Sequence, residues 1–278
     1  MKKRSFIFAI LLCVFISIFI FRPRSESSPV INNPSPDTFG DSITTPSEDE
    51  SNIPSESNAD EEVEEEEKEV DLLEETSHID DDGKVIVDNT DDILVLVNKN
   101  RNLPSDYVPD DLVVPNVRFT FEGFDEKKQM RKEAAEALEE LFKAAEEEGI
   151  YLFAVSGYRS YNRQKYLFDT RAARDGFEEA NKLTAYPGQS EHQTGLAMDV
   201  SCQSVGFDLT QKFGQTVEGI WLKENAHKFG FIIRYQEDKV DITGYSYEPW
   251  HIRYVGKEAA KEIYERNITL EEYLGVHN

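Results

Sequence analysis

At 278 residues, with 55 acidic against 30 basic side chains and a net charge of −25, the chain excludes a nucleic-acid partner, because a surface that tracks phosphates needs clustered Lys and Arg. Its charge is too uneven for a chain that folds throughout: residues 25–95 carry 24 acidic side chains and two lysines, a balance of −22, whereas residues 96–278 carry 23 basic and 31 acidic, a balance of −8. The latter part is long enough to bury a sizeable core, and the two cysteines, Cys13 and Cys202, offer no plausible cross-link because the first lies in an apolar N-terminal run.

Met1-Lys2-Lys3-Arg4 precedes a 17-residue apolar run, Ser5–Phe21, which is the pattern of an export signal or a single membrane anchor. No small-residue cleavage site follows, since the run ends at Arg22-Pro23-Arg24, so residues 1–24 are expected to be an uncleaved signal anchor in preference to a signal peptide. Residues 25–92, rich in Ser, Pro, Asn, Asp and Glu, cannot bury enough apolar area to offset backbone entropy. They are expected to be a disordered acidic stalk holding a domain at 93–278 outside the cytoplasm.

Ile93–Val97 is a β-branched run and the expected entry strand. From Glu126 to Glu148, Met130, Ala134, Ala137, Leu138, Leu141 and Ala145 recur at helical spacing, and Gly149 closes the element. Ile150–Val155 reads as a strand that delivers Ser156-Gly157-Tyr158-Arg159-Ser160 to a strand-to-helix junction, with a helix beginning near Tyr161. Leu196–Val200, Phe231–Tyr235 and Trp250–Tyr254 read as further strands, and Trp221–Phe229 and Lys257–Arg266 as helices. The sum is an α+β domain with helices on an antiparallel sheet.

Two short stretches carry the chemistry. Gly188–Ser201 offers the imidazole of His192 and the carboxylate of Asp199, and Glu248-Pro249-Trp250-His251 offers another of each. Two neutral imidazoles and one carboxylate make a three-ligand zinc shell with a vacant position for water, and a further carboxylate can handle that water's protons. Gly195 and Val200 argue for a loop at His192 leading into a strand at Asp199, and Pro249 rules against a helix interior. Glu248 is therefore expected just before a strand, and His251 within it. Cys202 is better read as a small buried thiol than as a fourth ligand, which would close the shell.

The pattern Ser190-x-His192-x-x-Gly195-x-Ala197-x-Asp199 with the later Glu248-x-x-His251, together with Ser156–Ser160 and Gln164, resembles the VanY / LdcB-type D-alanyl-D-alanine carboxypeptidases, the zinc peptidase family M15B. The resemblance implies a compact hedgehog/DD-peptidase-like fold, Zn2+ as cofactor and peptidoglycan stem peptides as partners. It further implies His192, Asp199 and His251 as metal ligands, Glu248 as catalytic base, and Arg159 as the group that stabilises the oxyanion or holds the substrate. Gln164, Ser190, Tyr158 and Trp250 would be substrate contacts. The expected reaction is removal of the terminal D-alanine from a D-Ala-D-Ala end by a monomeric enzyme, with an LD-carboxypeptidase acting on tetrapeptide stems or a non-catalytic cell-wall binding module as rival readings. A serine peptidase is disfavoured, since the chain has no Ser-x-x-Lys and Gly188–His192 lacks the last glycine of a nucleophile elbow.

Overall fold

The computed structural model describes residues 76–276. The expected anchor and residues 25–75 of the expected stalk lie outside the described residues. No helix among the described residues is long and apolar enough to cross a membrane.

The folded part begins before residue 93, which corrects the boundary expected from composition. Strands β1 (Ser77–Ile79) and β2 (Val85–Val87) form an antiparallel hairpin, and β2 pairs in parallel with β3 (Arg101–Asn102). The acidic run between them is turn chemistry: Asp80 Oδ1 accepts the backbone N–H groups of Asp82 and Lys84 at 3.0 and 2.8 Å, and Gly83 takes a positive φ of 79°. Ile93–Val97 is not a strand. Val95, Leu96 and Val97 are buried, but the carbonyls of Ile93 and Val95 accept from Arg253 Nη2, each at 2.9 Å, in place of a neighbouring strand.

The helix expected from Glu126 starts later. Glu126–Lys128 is a 3-10 turn whose N-cap, Asp125, accepts from the Lys127 N–H, and β4 (Leu112–Val113) pairs with β5 (Met130–Arg131) before α1 (Lys132–Glu147) begins. The apolar stripe of α1, including Ala134, Leu138, Leu141 and Ala145, is buried against the central sheet. That sheet holds β6 (Phe153–Ser156), β7 (Ala197–Ser201), β8 (Phe231–Tyr235) and β9 (Glu248–Tyr254), all antiparallel in the order β6-β7-β9-β8. Helices α2 (Tyr161–Asp175) and α3 (Phe177–Leu183) fill the connection from β6 to β7, and α4 (Val217–Asn225) follows β7. A short α5 (Val240–Thr243) precedes β9, and α6 (Lys257–Arg266) and α7 (Leu270–Tyr273) end the domain.

The two-residue period of a strand divides the sheet into unlike faces. Met198 pairs with Ile252 on the face that meets the main core, whereas Ala197 lies opposite Arg253 and Asp199 opposite His251 on the other. That second face is ionic. Arg234 donates to Glu191 at 2.7 Å and, through both terminal nitrogens, to Glu271 at 2.8 and 2.6 Å, and Arg253 donates to Glu191 at 2.8 Å. All four side chains are almost fully buried, and two cations against two anions leave the group neutral. The network ties α7 and the 93–98 segment to the sheet, with Asn98 Nδ2 donating to Glu271 at 3.3 Å. Removing one partner strands a buried charge. Glu271→Gln is therefore predicted to lower stability by about 3–5 kcal/mol, read as a lower urea midpoint at unchanged m-value; an unshifted midpoint would contradict this reading of the network.

Candidate active site

Two strand irregularities and a glycine build the site. Between β6 and β7 the register slips, Ala154 opposing Val200 and Ser156 opposing Asp199, so the extra residue turns the end of β6 toward the cleft. Gly157 follows, and only glycine fits there: a Cβ would meet the Met198 Cε at 2.8 Å and the backbone carbonyl of Gln129 closer still. Between β8 and β9, Ile233 opposes Ile252 and Tyr235 opposes Glu248, a slip of two residues at Pro249–His251. This bulge lets Glu248 and His251, three residues apart and so on opposite faces of a regular strand, approach on one side, with Glu248 Oε2 3.9 Å from His251 Nδ1. Glu248 is thus the first residue of β9, not a residue before it.

His192 sits in a 3-10 turn, Glu191–Thr194, ended by Gly195 in the left-handed region at φ 69°. A Cβ on Gly195 would press on Arg131 Cγ and Leu112 Cδ2, each at 3.0 Å. The His192 Nδ1–H donates to the Gly157 carbonyl at 2.8 Å, which leaves the Nε2 lone pair 3.4 Å from Asp199 Oδ2. His251 is held from behind as well: its Nε2–H donates to Glu191 Oε2 at 3.2 Å, and its Nδ1 stands 3.1 Å from Asp199 Oδ1. That approach lies off the direction a hydrogen bond needs, so Asp199 Oδ1 is buried without a hydrogen-bond partner.

His192, Asp199 and His251 can each turn one ligand atom inward, all within 4.8 Å of one another. Ligands around a tetrahedral ion with bonds of about 2.0–2.1 Å stand about 3.3 Å apart, close to the 3.4 and 3.1 Å seen here. The acceptors behind the two imidazoles, the Gly157 carbonyl and the Glu191 carboxylate, fix their tautomers for binding, as outer partners of metal ligands do. The orphaned Asp199 oxygen and the converging lone pairs therefore fit a small divalent cation.

The electrostatics agree. Burial lowers the His192 pKa, with the nearby Arg159 cation adding to it, so the ring is neutral and free to coordinate. Burial alone would raise the Asp199 pKa, but His192 and His251 hold it well below the usual carboxylate range. Burial would also raise Glu191, and the Arg234 and Arg253 cations overcome it. His251 feels burial pulling its pKa down, outweighed by the Asp199 and Glu191 carboxylates beside it, which push it up to about 9. Burial pushes Glu248 up to about 7, helped by Asp199 and opposed by His251. A carboxyl group near 7 can both take and return a proton at neutral pH.

These side chains line a cavity of about 420 Å³. Arg159 lines it too, its Nη1 donating to Gln164 Oε1 at 2.9 Å and its Nη2 to Ser156 Oγ at 3.3 Å. Gln164 reaches the cavity but is occupied at both ends, since its Nε2 donates to the Ala185 carbonyl at 2.6 Å, so it orients Arg159. Ser190 and Trp250 line the cavity, whereas Tyr158 is buried and does not. Tyr186 packs on Phe168 and Phe177, and Cys202 is a buried free thiol outside the ligand group. The sequence reading missed Glu191, Tyr235 and Tyr245, all cavity residues. The signal for Glu191 was its place beside His192; its partners at 234, 251 and 253 could not be foreseen.

Residues 127–257 match the VanY family, described as D-alanyl-D-alanine carboxypeptidase. The Bacillus subtilis (strain 168) protein named "Putative carboxypeptidase YodJ" is 56% identical over 192 residues, 69% of this chain and 70% of YodJ. The chain belongs to the VanY carboxypeptidase family. Among solved structures, the LdcB LD-carboxypeptidase is 53% identical with a TM-score of 0.70, over 73% of this chain and 95% of LdcB. A vancomycin-resistance D,D-pentapeptidase VanY in complex with Zn(II) is 36% identical with a TM-score of 0.53, over 65% and 98% of the two chains. Family membership makes the chain a metallo-carboxypeptidase, in keeping with the His192–Asp199–His251 group.

A cation at this place must displace the proton that His251 otherwise keeps up to about pH 9. Apparent Zn(II) affinity, measured by competition with a chromophoric chelator, is predicted to fall about tenfold for each pH unit lowered between about 8.5 and 6.5. A flat profile would show that His251 does not exchange a proton for the metal.

Proposed function

We propose that the chain is a zinc-dependent carboxypeptidase that removes the C-terminal D-alanine from peptidoglycan stem peptides. The observation that carries this reading is the convergence of His192, Asp199 and His251 with Glu248 beside them, in a cleft that also presents Arg159. Zinc held by the three ligands would polarise the scissile carbonyl and bring the pKa of a water to about 7.

The chain's own groups do the rest. Glu248 accepts the proton of the attacking water and delivers it to the leaving amine of the D-alanine, a shuttle suited to a carboxyl near 7. Burial lowers the Arg159 pKa, but the Asp199 and Glu248 carboxylates oppose this and a guanidinium stays charged. Held by Gln164 and Ser156, Arg159 supplies fixed positive charge where the carbonyl oxygen becomes negative. Trp250 and Ser190 face the substrate.

Two ends of the stem are candidates. The 53% identity with LdcB supports a tetrapeptide cut at its L,D bond, while the family description and the 36% identity with a VanY D,D-pentapeptidase support D-Ala-D-Ala. The greater identity puts the tetrapeptide first. The basic and apolar N-terminal run supports an anchored enzyme acting outside the cytoplasm.

Incubating the zinc-loaded protein with a tetrapeptide ending in D-alanine and a pentapeptide ending in D-Ala-D-Ala, with and without chelator, should release D-alanine only without chelator, and faster from the tetrapeptide. Release from neither peptide would refute the assignment. Glu248→Gln is predicted to keep zinc, measured by metal analysis, and to lower kcat about 10²–10⁴-fold; near-wild-type turnover would remove Glu248 from the chemistry.

A further inference from the structure

The far end of the cleft holds a cation that the reaction described so far does not use. Gln164, Leu167 and Arg171 lie at helical spacing on the face of α2 that lines the cavity. The Gln164 end touches Arg159 and hence the reacting centre. Arg171 stands seven residues on, about 10 Å along the axis at about 1.5 Å per residue. Leu167 lies between them on the helix, and Leu183 and Leu209 add to the apolar lining of the cavity.

Arg171 is half-buried, and its guanidinium makes no hydrogen bond or ion pair among the described residues. The carboxylate one turn further on, Asp175, is already gripped by Arg174 through two bonds of 2.7 and 2.6 Å. In a chain with a net charge of −25, such a cation facing a cleft is a local exception to the protein's repulsion of anions. An extended peptide advances about 3.3–3.6 Å per residue, so about 10 Å spans about three residues.

We propose that Arg171 is a specificity-determining residue that binds a carboxylate carried two or three residues to the N-terminal side of the scissile bond. The inference rests on the carboxypeptidase reading and names the substrates that reading selects: stem peptides whose acyl portion is anionic. Two sources have that chemistry, the free α-carboxylate of a γ-linked glutamate and the side-chain carboxylate of a diamino dicarboxylic acid. A planar guanidinium meets either with paired hydrogen bonds, which a carboxamide cannot match.

The test uses the zinc-loaded full chain and synthetic stem peptides ending in D-alanine, each made with a carboxylate or a carboxamide at the second or third residue before the scissile bond. Wild-type protein should prefer the carboxylate at one of the two positions by about 10- to 100-fold in kcat/KM, chiefly through KM. Arg171→Ala should bring that ratio to within about twofold of unity, Arg171→Glu should invert it, and Arg171→Lys should keep part of it. The same ratios, measured as peptide affinities by calorimetry in a Glu248→Gln background, give the answer with no turnover. Failure of wild-type protein to release D-alanine would therefore count against the enzymatic reading alone. A carboxylate preference that survives Arg171→Ala in both assays, or is absent from wild type in both, would overturn the proposal.

Discussion

Everything at the site depends on one cross-strand pair, Asp199 of β7 opposite His251 of β9, with their side chains on the same face of the sheet. Adjacent antiparallel strands bring opposed side chains within about 4.5–5.5 Å at Cβ, so register alone brings a carboxylate to an imidazole. A shift of one residue in either strand would send its member of the pair to the face of Met198 and Ile252, in the apolar core. His192 needs no strand, because the Gly157 carbonyl and the turn at Gly195 aim its ring.

Such a pair in an acidic, buried setting needs a compensating charge, and the fold supplies it from behind. Glu191 fixes His251 while the Arg234 and Arg253 cations fix Glu191, and Glu271 of α7 completes the balance. The same residues thus serve the fold and the site: the network that closes the C-terminal end of the domain also orients His251. Arg253 extends it to the backbone of residues 93–95, which binds the N-terminal segment to the sheet beneath the site.

Much of this was legible in the sequence where periodicity or a local motif carried it. The α+β architecture, β8 and α6 follow from apolar spacing, and the His192, Asp199, Glu248 and His251 cluster follows from two short stretches. What escaped depends on partners far along the chain. Ile93–Val97 has strand composition, but its carbonyls are taken by a side chain 160 residues away. Met130 has helical spacing, but its backbone pairs with Val113 and the helix waits until Lys132. Residues 77–87 read as stalk because their acidity hides a turn. Glu191, Arg234, Arg253 and Glu271 look like surface charges one by one; only their mutual pairing makes burial possible.

The central claim is that His192, Asp199 and His251 share one ion. Crystals of the zinc-loaded protein, measured above and below the zinc absorption edge, test it directly. The account predicts a single anomalous peak within bonding distance of His192 Nε2, an Asp199 carboxylate oxygen and His251 Nδ1, with Glu191 still on His251 Nε2. A peak elsewhere, or one bound through His251 Nε2, would contradict it.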